Sequence, residues 1–341
     1  MFEKYRDGQD AYIIAEVGQN HQGDIFEALK YISEFARCGA NAVKFQMRNN
    51  EYLFSNDALN RPYEGVNSFG ATYGEHRDFL EFSSDDWLRI KSECKKQNVD
   101  FMCTAFDEPS LEQLVNLDVD ILKVASFDLG NLPFLEKVIQ TGKPVVFSIG
   151  GGAKEHINAT INLFIKEGAD FSILHCVSEY PCSVDRLGLM HIQELKNEFP
   201  NVSVGLSDHF NGILSGPIGY TLGARVFEKH VTFNRSHKGT DHSFALETRG
   251  FESFVRDIRR VPLMYKSKPI EELGTEYVFK KLGKSICANQ KINNGEIFST
   301  QNLSGIIHTE AGIPVRDAYK LLGKKANKEY SPRELIDMSQ L

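Results

Sequence analysis

The chain has 341 residues, a formal net charge of -7, 41% hydrophobic and 25% charged residues, long enough for one full-sized domain and a smaller second one. No basic field invites nucleic acid or an anionic membrane, so an anionic ligand would have to meet a local cluster of cations. The 6 cysteines stand singly, without C-x-x-C, and the start M-F-E-K-Y-R-D-G-Q-D lacks an apolar signal core; together with the want of an apolar run of roughly 18 residues, this reads as a soluble cytoplasmic protein with reduced thiols.

Residues 11–17 (A-Y-I-I-A-E-V) form a short apolar run that closes in the polar loop G-Q-N-H-Q-G-D, the pattern of a buried strand followed by a working loop. Asp24 can cap the next segment, whose apolar positions Ile25, Ala28, Leu29, Ile32 and Phe35 keep helical spacing until Gly39. A second strand, 42–45, ends in Lys44 and Gln46, and the polar, aromatic excursion 47–82, with N-S-F-G-A-T-Y-G-E-H-R, interrupts the rhythm. So long an insertion in a compact domain is usually functional. From Ser84 onward strands are expected at 100–104, 121–125, 144–148, 171–175, 202–207 and 226–230, separated by helical patterns at 84–97, 109–116, 132–140, 153–166, 188–198 and 211–222.

That makes eight strand–helix units over residues 1–264, which fits a parallel (β/α)8 TIM barrel better than an open doubly wound sheet. No G-x-G-x-x-G follows a strand, which weakens a dinucleotide reading. Residues 265–283, rich in Lys and Glu with Pro269 and Gly274, read as a linker. Residues 284–341 carry short β-like runs around Asn294-Gly295, a small mostly-β module whose thin core calls for support from its own barrel or a partner's.

In a barrel of this kind the reacting groups sit at the carboxyl ends of the strands. Those ends carry Glu16, Asn20 and His21; Lys44 and Gln46; Thr104; Lys123 and Ser126; Ser148; Cys176 and Ser178; Ser207 and His209; and His230. Lysines with hydroxyl donors suit a phosphate or carboxylate, and two imidazoles on neighbouring strands suit a Lewis-acidic divalent ion. Plainer readings stand beside these. Either histidine could cap a strand end, Glu16 and Lys44 could be a rim ion pair, and Cys176 a small apolar filler. Lys123, inside I-L-K-V-A-S, is harder to set aside, because a buried ammonium needs an anion.

Over essentially its whole length the chain resembles the sialic acid synthases, meaning the bacterial N-acetylneuraminate synthases and their legionaminic and pseudaminic acid relatives. The stretches that carry the resemblance are I-I-A-E-V-G-Q-N-H-Q-G-D, A-V-K-F-Q, C-T-A-F-D, L-K-V-A-S-F-D-L-G-N-L-P, G-K-P-V-V-F-S-I-G, L-H-C-V-S-E-Y-P, V-G-L-S-D-H and the region from Glu228 to Asp241. The resemblance implies a TIM barrel joined to a small antifreeze-like (SAF) domain in a domain-swapped homodimer. It implies a reaction in which phosphoenolpyruvate condenses with the open-chain aldehyde of an N-acylated amino sugar, assisted by Mn or Mg. Carried over by residue, it implies His209 and His230 as metal ligands and Glu16 as the acidic residue that handles the water added at C2. Lys44, Thr104, Lys123, Ser126, Ser148, Ser178 and Ser207 would contact phosphoenolpyruvate, and Gln46, Asp128, Tyr180 and Asp241 the sugar.

Asp128 stands where some members have Glu, and Ser178 where some have Asn. The family's K-R-P-G-x-G-I run, whose Arg reaches the partner's sugar, is here I-I-H-T-E-A-G-I-P. Its Arg is missing, with His308 nearest in register and Arg316 further on; an imidazole is no equivalent of a bidentate guanidinium. Arg77 of the insertion is a substitute that could enter from the barrel side. Three rival readings follow from the residues. They are a Schiff-base aldolase using Lys123, a metal-dependent hydrolase, for which the first strand lacks H-x-H, and a non-catalytic carbohydrate- or ice-binding protein.

Overall fold

The computed structural model describes residues 1–341, apart from the side chains of Asp7 and Lys280. The chain divides into two compact units, Met1–Tyr265 and Lys266–Leu341. In the first unit eight strands pair in parallel in sequence order: β1 (Tyr12–Gly18), β2 (Ala42–Met47), β3 (Asp100–Ala105), β4 (Ile121–Val124), β5 (Val145–Ser148), β6 (Phe171–Cys176), β7 (Ser203–Asp208) and β8 (Val226–Thr232). β1 also pairs with β8 and closes the ring, which makes the unit a TIM barrel. A two-residue strand, β9 (Leu246–Glu247), extends β8.

Each strand is followed by an outer helix, in order α1 (Ile25–Arg37), α2 (Ser84–Lys96), α3 (Glu108–Asn116), α4 (Leu132–Gln140), α5 (Lys154–Lys166), α6 (Met190–Glu198), α7 (Ser215–Thr221) and α8 (Thr248–Met264). Helix α1 shows how local sequence sets these bounds. The Asp24 carboxylate accepts from the backbone N–H groups of Phe26 (2.7 Å) and Glu27 (3.3 Å), satisfying donors the first turn leaves open. Ala28, Tyr31, Ile32 and Phe35 then face the core, and Gly39, at φ 96°, ends the run.

Strand alternation builds two separate cores. Outward side chains such as Ile13, Val43, Phe101, Phe147, Ile173 and Phe227 pack with the helices. Inside the barrel lies a smaller apolar cluster of Ile14, Ala42, Met102, Ile121, Val146, Leu174 and Val226, joined by Phe2, Tyr5 and Tyr12. The inward position of β7 in this layer is Gly205, where a Cβ would stand 2.1 Å from the Val226 carbonyl oxygen and 2.5 Å from Leu174 Cδ2. Two residues further along every strand the inward side chain is polar or a thiol: Glu16, Lys44, Thr104, Lys123, Ser148, Cys176, Ser207 and Glu228. The barrel is thus sealed by apolar packing below and open to chemistry above.

The insertion is ordered. It forms short helices at Asn50–Leu53, Asn56–Leu59 and Tyr73–Leu80. The last begins with a capping box between Thr72 and Glu75, and buried His76 lies against Tyr63, with ring centroids 4.6 Å apart.

In the second unit β10 (Ser285–Ala288) pairs antiparallel with β11 (Leu303–Ile306). A core of its own gathers Ile286, Ile292, Phe298, Ile313, Leu321, Tyr330 and Ile336. The stretch that reads as a linker carries a turn of 3₁₀ helix at Ile270–Glu272 and a short helix at Tyr277–Leu282. Arg316 donates to the Gly274 carbonyl (2.8 Å), and His308 Nδ1 accepts from the Glu310 N–H (3.0 Å). Among the described residues no helix is long and apolar enough to cross a membrane.

Candidate active site

A cavity of about 330 Å³ opens at the carboxyl ends of the strands, within the size range of small-molecule sites. Of the residues singled out from the sequence, it brings together Glu16, Lys44, Gln46, Thr104, Lys123, Ser126, Ser148, Ser178, Tyr180, Ser207, His209, His230 and Asp241. Asp128 does not join the wall. It lies in the 3₁₀ turn Ser126–Asp128, where its Oδ1 accepts from Asn131 Nδ2 (2.9 Å), so the turn keeps the shorter carboxylate for itself.

Lys44 is the hub of the buried charges. Its Nζ lies 2.9 Å from Glu16 Oε2 and 3.5 Å from Glu228 Oε2, with all three side chains at most 5% exposed. Gln46 Nε2 donates to Glu16 Oε1 (2.8 Å), and Ser207 Oγ donates to Glu228 Oε1 (2.9 Å). The two carboxyls diverge. Burial pushes Glu16 up, with the nearby Glu228 charge adding to it against the pull of Lys44. Burial opposes ionisation of Glu228 too, but the ammoniums of Lys44 and Lys123 and the hydrogen bond from Ser207 hold it below the usual carboxylate range. Of the two, Glu16 is the carboxyl on which a proton is favoured.

Lys123 has no such counter-ion within bonding reach. Its Nζ donates to the Val124 carbonyl (3.0 Å), and burial pulls its ammonium down. The Ser148 hydroxyl, also buried, has no hydrogen-bond partner among the described residues. A buried cation and a free hydroxyl facing one cavity are what an anionic ligand would satisfy.

The two histidines come together at the ends of β7 and β8, with ring centroids 5.4 Å apart. His209 Nδ1 lies 2.7 Å from the Val177 carbonyl, which fixes the tautomer with Nδ1 protonated and leaves Nε2 a lone pair. His230 Nδ1 is buried without a hydrogen-bond partner and stands 3.7 Å from Asp241 Oδ2. Burial pulls both rings below the ordinary histidine range, so both are neutral. No group of three or more His, Cys, Asp or Glu side chains forms a metal set among the described residues. Two neutral imidazoles, one oriented and one with an orphan nitrogen, fit a divalent ion as part of its shell.

Glu228, Arg48 and Gln19 are among the wall residues not singled out from the sequence as barrel-mouth groups. Glu228 lies two residues before His230 on the same strand face, and Arg48 two residues after Gln46, so strand parity carried the signal for both. Gln19, in the loop after β1, had no such signal. Arg77, raised from the sequence as an entrant from the insertion, lines the cavity beside them.

Fold and site define a TIM-barrel protein whose mouth combines two buried carboxyls on one lysine, a second buried lysine and two neighbouring imidazoles. Residues 31–269 match the NeuB family, and the chain belongs to this family, the sialic acid synthases. It is 36% identical over 315 residues to the N-acetylneuraminate-9-phosphate synthase of Homo sapiens, covering 92% of this chain and 88% of that one. To the N,N'-diacetyllegionaminic acid synthase of Campylobacter jejuni it is 33% identical, covering 95% and 98%. The solved N-acetylneuraminic acid (sialic acid) synthetase of Leptospira borgpetersenii, in complex with citrate, superposes with a TM-score of 0.69 at 32% identity over 79% of this chain and 90% of that one.

Proposed function

We propose that this protein condenses phosphoenolpyruvate with the open-chain aldehyde of an N-acylated amino sugar, giving a nine-carbon 2-keto acid of the sialic type and inorganic phosphate. The observation that carries it is the free pair of Lys123, bonded only to a backbone carbonyl, and the unpartnered Ser148 hydroxyl, across one cavity from two neutral imidazoles. Lys44, Lys123 and the hydroxyls of Thr104, Ser126, Ser148, Ser178 and Ser207 would hold the phosphate and carboxylate. Gln46, Tyr180 and Asp241 would orient the sugar so that its aldehyde carbon meets C3 of phosphoenolpyruvate. Water supplies the new oxygen at C2, and phosphate leaves as the keto group forms. Glu16, whose carboxyl burial pushes up, is the group to exchange a proton with that water at its Oε atoms.

His209 and His230 would hold Mn or Mg, the rest of its shell coming from water and substrate. When bound, such an ion supplies Lewis acidity toward the aldehyde oxygen. The second unit is read as an SAF module, and the working assembly as a domain-swapped homodimer in the cytoplasm. Phosphate release from phosphoenolpyruvate, assayed against N-acetylmannosamine and diacetamido-dideoxy hexoses with and without a chelator, tests the reading. Release only with an acceptor and only with metal is expected; release unaffected by chelation would defeat the metal part.

One observation favours a second reading. Burial lowers the Lys123 ammonium, as an amine nucleophile needs. Borohydride would then trap a pyruvate adduct on Lys123, whereas the condensation leaves the chain unmodified.

A further inference from the structure

Lys44, Gln46 and Arg48 share one parity along β2 and just beyond it, and their side chains make a chain of contacts that ends on Glu16. Lys44 Nζ meets Glu16 Oε2 (2.9 Å), Gln46 Nε2 donates to Glu16 Oε1 (2.8 Å), and Arg48 Nη2 donates to Gln46 Oε1 (2.7 Å). Gly18, at φ 57° after a register shift in β1, makes room for this meeting. Glu16 Oε1, Gln46 Nε2 and Asp241 Oδ2 all lie within 3.4 Å of the place its Cβ would take. The Gln46 amide thus stands where the proton-exchanging carboxyl and the sugar contacts converge.

The partners of Arg48 show what it is held for. Its side chain is 8% exposed, and the guanidinium lies over the Phe106 ring at 3.8 Å. Glu81, which follows the insertion helix Tyr73–Leu80, accepts the Arg48 backbone N–H at Oε2 (3.1 Å). Its Oε1, however, stands 3.7 Å from Arg48 Nη1, and neither atom has a hydrogen-bond partner among the described residues. A guanidinium beside a carboxylate commonly takes it through two parallel bonds. Here the short bond goes to a neutral amide instead, so the ion pair is left loose and the contact with Gln46 is kept.

That contact has a direction. A primary amide has one accepting end and one donating end of nearly the same shape, whereas a guanidinium only donates. Facing Arg48, Gln46 must present its oxygen there and its NH2 to Glu16. Without Arg48 the amide is free to turn by half a rotation and set its oxygen against the carboxyl. We propose that Arg48 is a positioning residue for the condensation, one that fixes the orientation of the Gln46 amide so that an N–H holds Glu16 Oε1 in place. This rests on the condensation reading above.

The full-length protein with Mn is assayed for phosphate release from phosphoenolpyruvate, using whichever of N-acetylmannosamine and the diacetamido-dideoxy hexoses turns over fastest. Arg48→Met is expected to lower kcat about tenfold, the scale of one charge-assisted hydrogen bond, with the KM for phosphoenolpyruvate unchanged. Arg48→Lys, again a donor only, is expected to recover most of that loss, because a single bond has to be made. In a Gln46→Ala background no amide is left to orient, and Arg48→Met is expected to cost nothing further. Should Arg48→Met fold poorly, the Arg48→Met, Glu81→Gln double variant removes the stranded carboxylate and is expected to show the same fall in kcat. An unchanged kcat in the Arg48→Met proteins overturns the proposal, as does a lysine variant that recovers nothing. A loss that persists in the Gln46→Ala background, or a raised KM for phosphoenolpyruvate, makes Arg48 a direct substrate contact or a packing residue and also overturns it. A wild type that releases no phosphate with any of these acceptors refutes the condensation itself and the role of Arg48 with it, a result distinct from full turnover without Arg48.

Discussion

Glu16 and Glu228 share one ammonium yet shift in opposite directions, and the cause is the number of cations each faces. Glu228 is met by the ammoniums of Lys44 and Lys123, while Glu16 has Lys44 alone against full burial. A group that exchanges a proton with a reacting water works best when its pKa lies near the working pH. Glu16→Gln keeps the shape and the Lys44 contact but cannot exchange a proton. Single-turnover phosphate release should slow by about a hundredfold or more, the usual range for general acid–base catalysis, while phosphoenolpyruvate still binds in a calorimetric titration. Glu81 offers a separate test on the folded state. Burial pushes its carboxyl from 4.5 up to about 7, against the pull of Arg48. The folded protein therefore binds a proton more tightly than the unfolded chain does. The stability this contributes is fully present below the unfolded pKa and is lost as pH rises toward 7. Urea midpoints of the wild type should fall across that window, and Glu81→Gln should flatten the fall.

At the level of strands, the polar mouth depends on packing below and behind it. Gly205 leaves no room for a methyl group beside the Val226 carbonyl and Leu174, so Gly205→Ala should destabilise the barrel by about 1–3 kcal/mol, read from the denaturant midpoint. Outside the ring, Lys229 Nζ bonds Asp208 Oδ2 (2.7 Å), both fully buried. The Asp208 carboxylate also accepts from the Phe210 N–H (2.9 Å) and the Ser215 hydroxyl (2.5 Å). This knot ties together the ends of β7 and β8 just where they deliver His209 and His230. Lys229→Met would strand a buried carboxylate at a cost of about 3–5 kcal/mol, with much of it recovered in the Asp208→Leu, Lys229→Met double variant; urea titration of the three proteins checks both. The strands themselves were legible because each is a short apolar run followed by a stretch of helical spacing, and their bounds fall within two residues of the sequence reading. Glu228 escaped notice because a carboxylate in A-R-V-F-E-K-H looks like a strand-end charge until its parity with His230 is counted. Asp128 follows a strand that lines the mouth, and the turn after β4 sets its Oδ1 on Asn131, a local bond that strand parity does not show.

Across the whole chain, the net charge of -7 leaves anion binding entirely to local placement, and the barrel mouth concentrates Lys44, Arg48, Arg77 and Lys123 in one cavity. The second unit poses a different physical problem. Its core gathers only nine buried residues, without a disulfide among the described cysteines, while Ile307, Tyr319, Leu322 and Met338 are exposed. A core of that size gives marginal stability unless the unit is covered by something else. In the proposed swapped homodimer that cover is a second copy of the chain. Sedimentation of the full chain at micromolar concentration should then show the mass of two chains, and a fragment ending at Tyr265 the mass of one. The melting temperature of the full chain should rise with protein concentration, because association stabilises whatever it buries, while that of the fragment should not. A full chain that sediments as a single copy, with a melting temperature independent of concentration, would remove the partner from the mechanism and leave the acceptor site to the barrel alone.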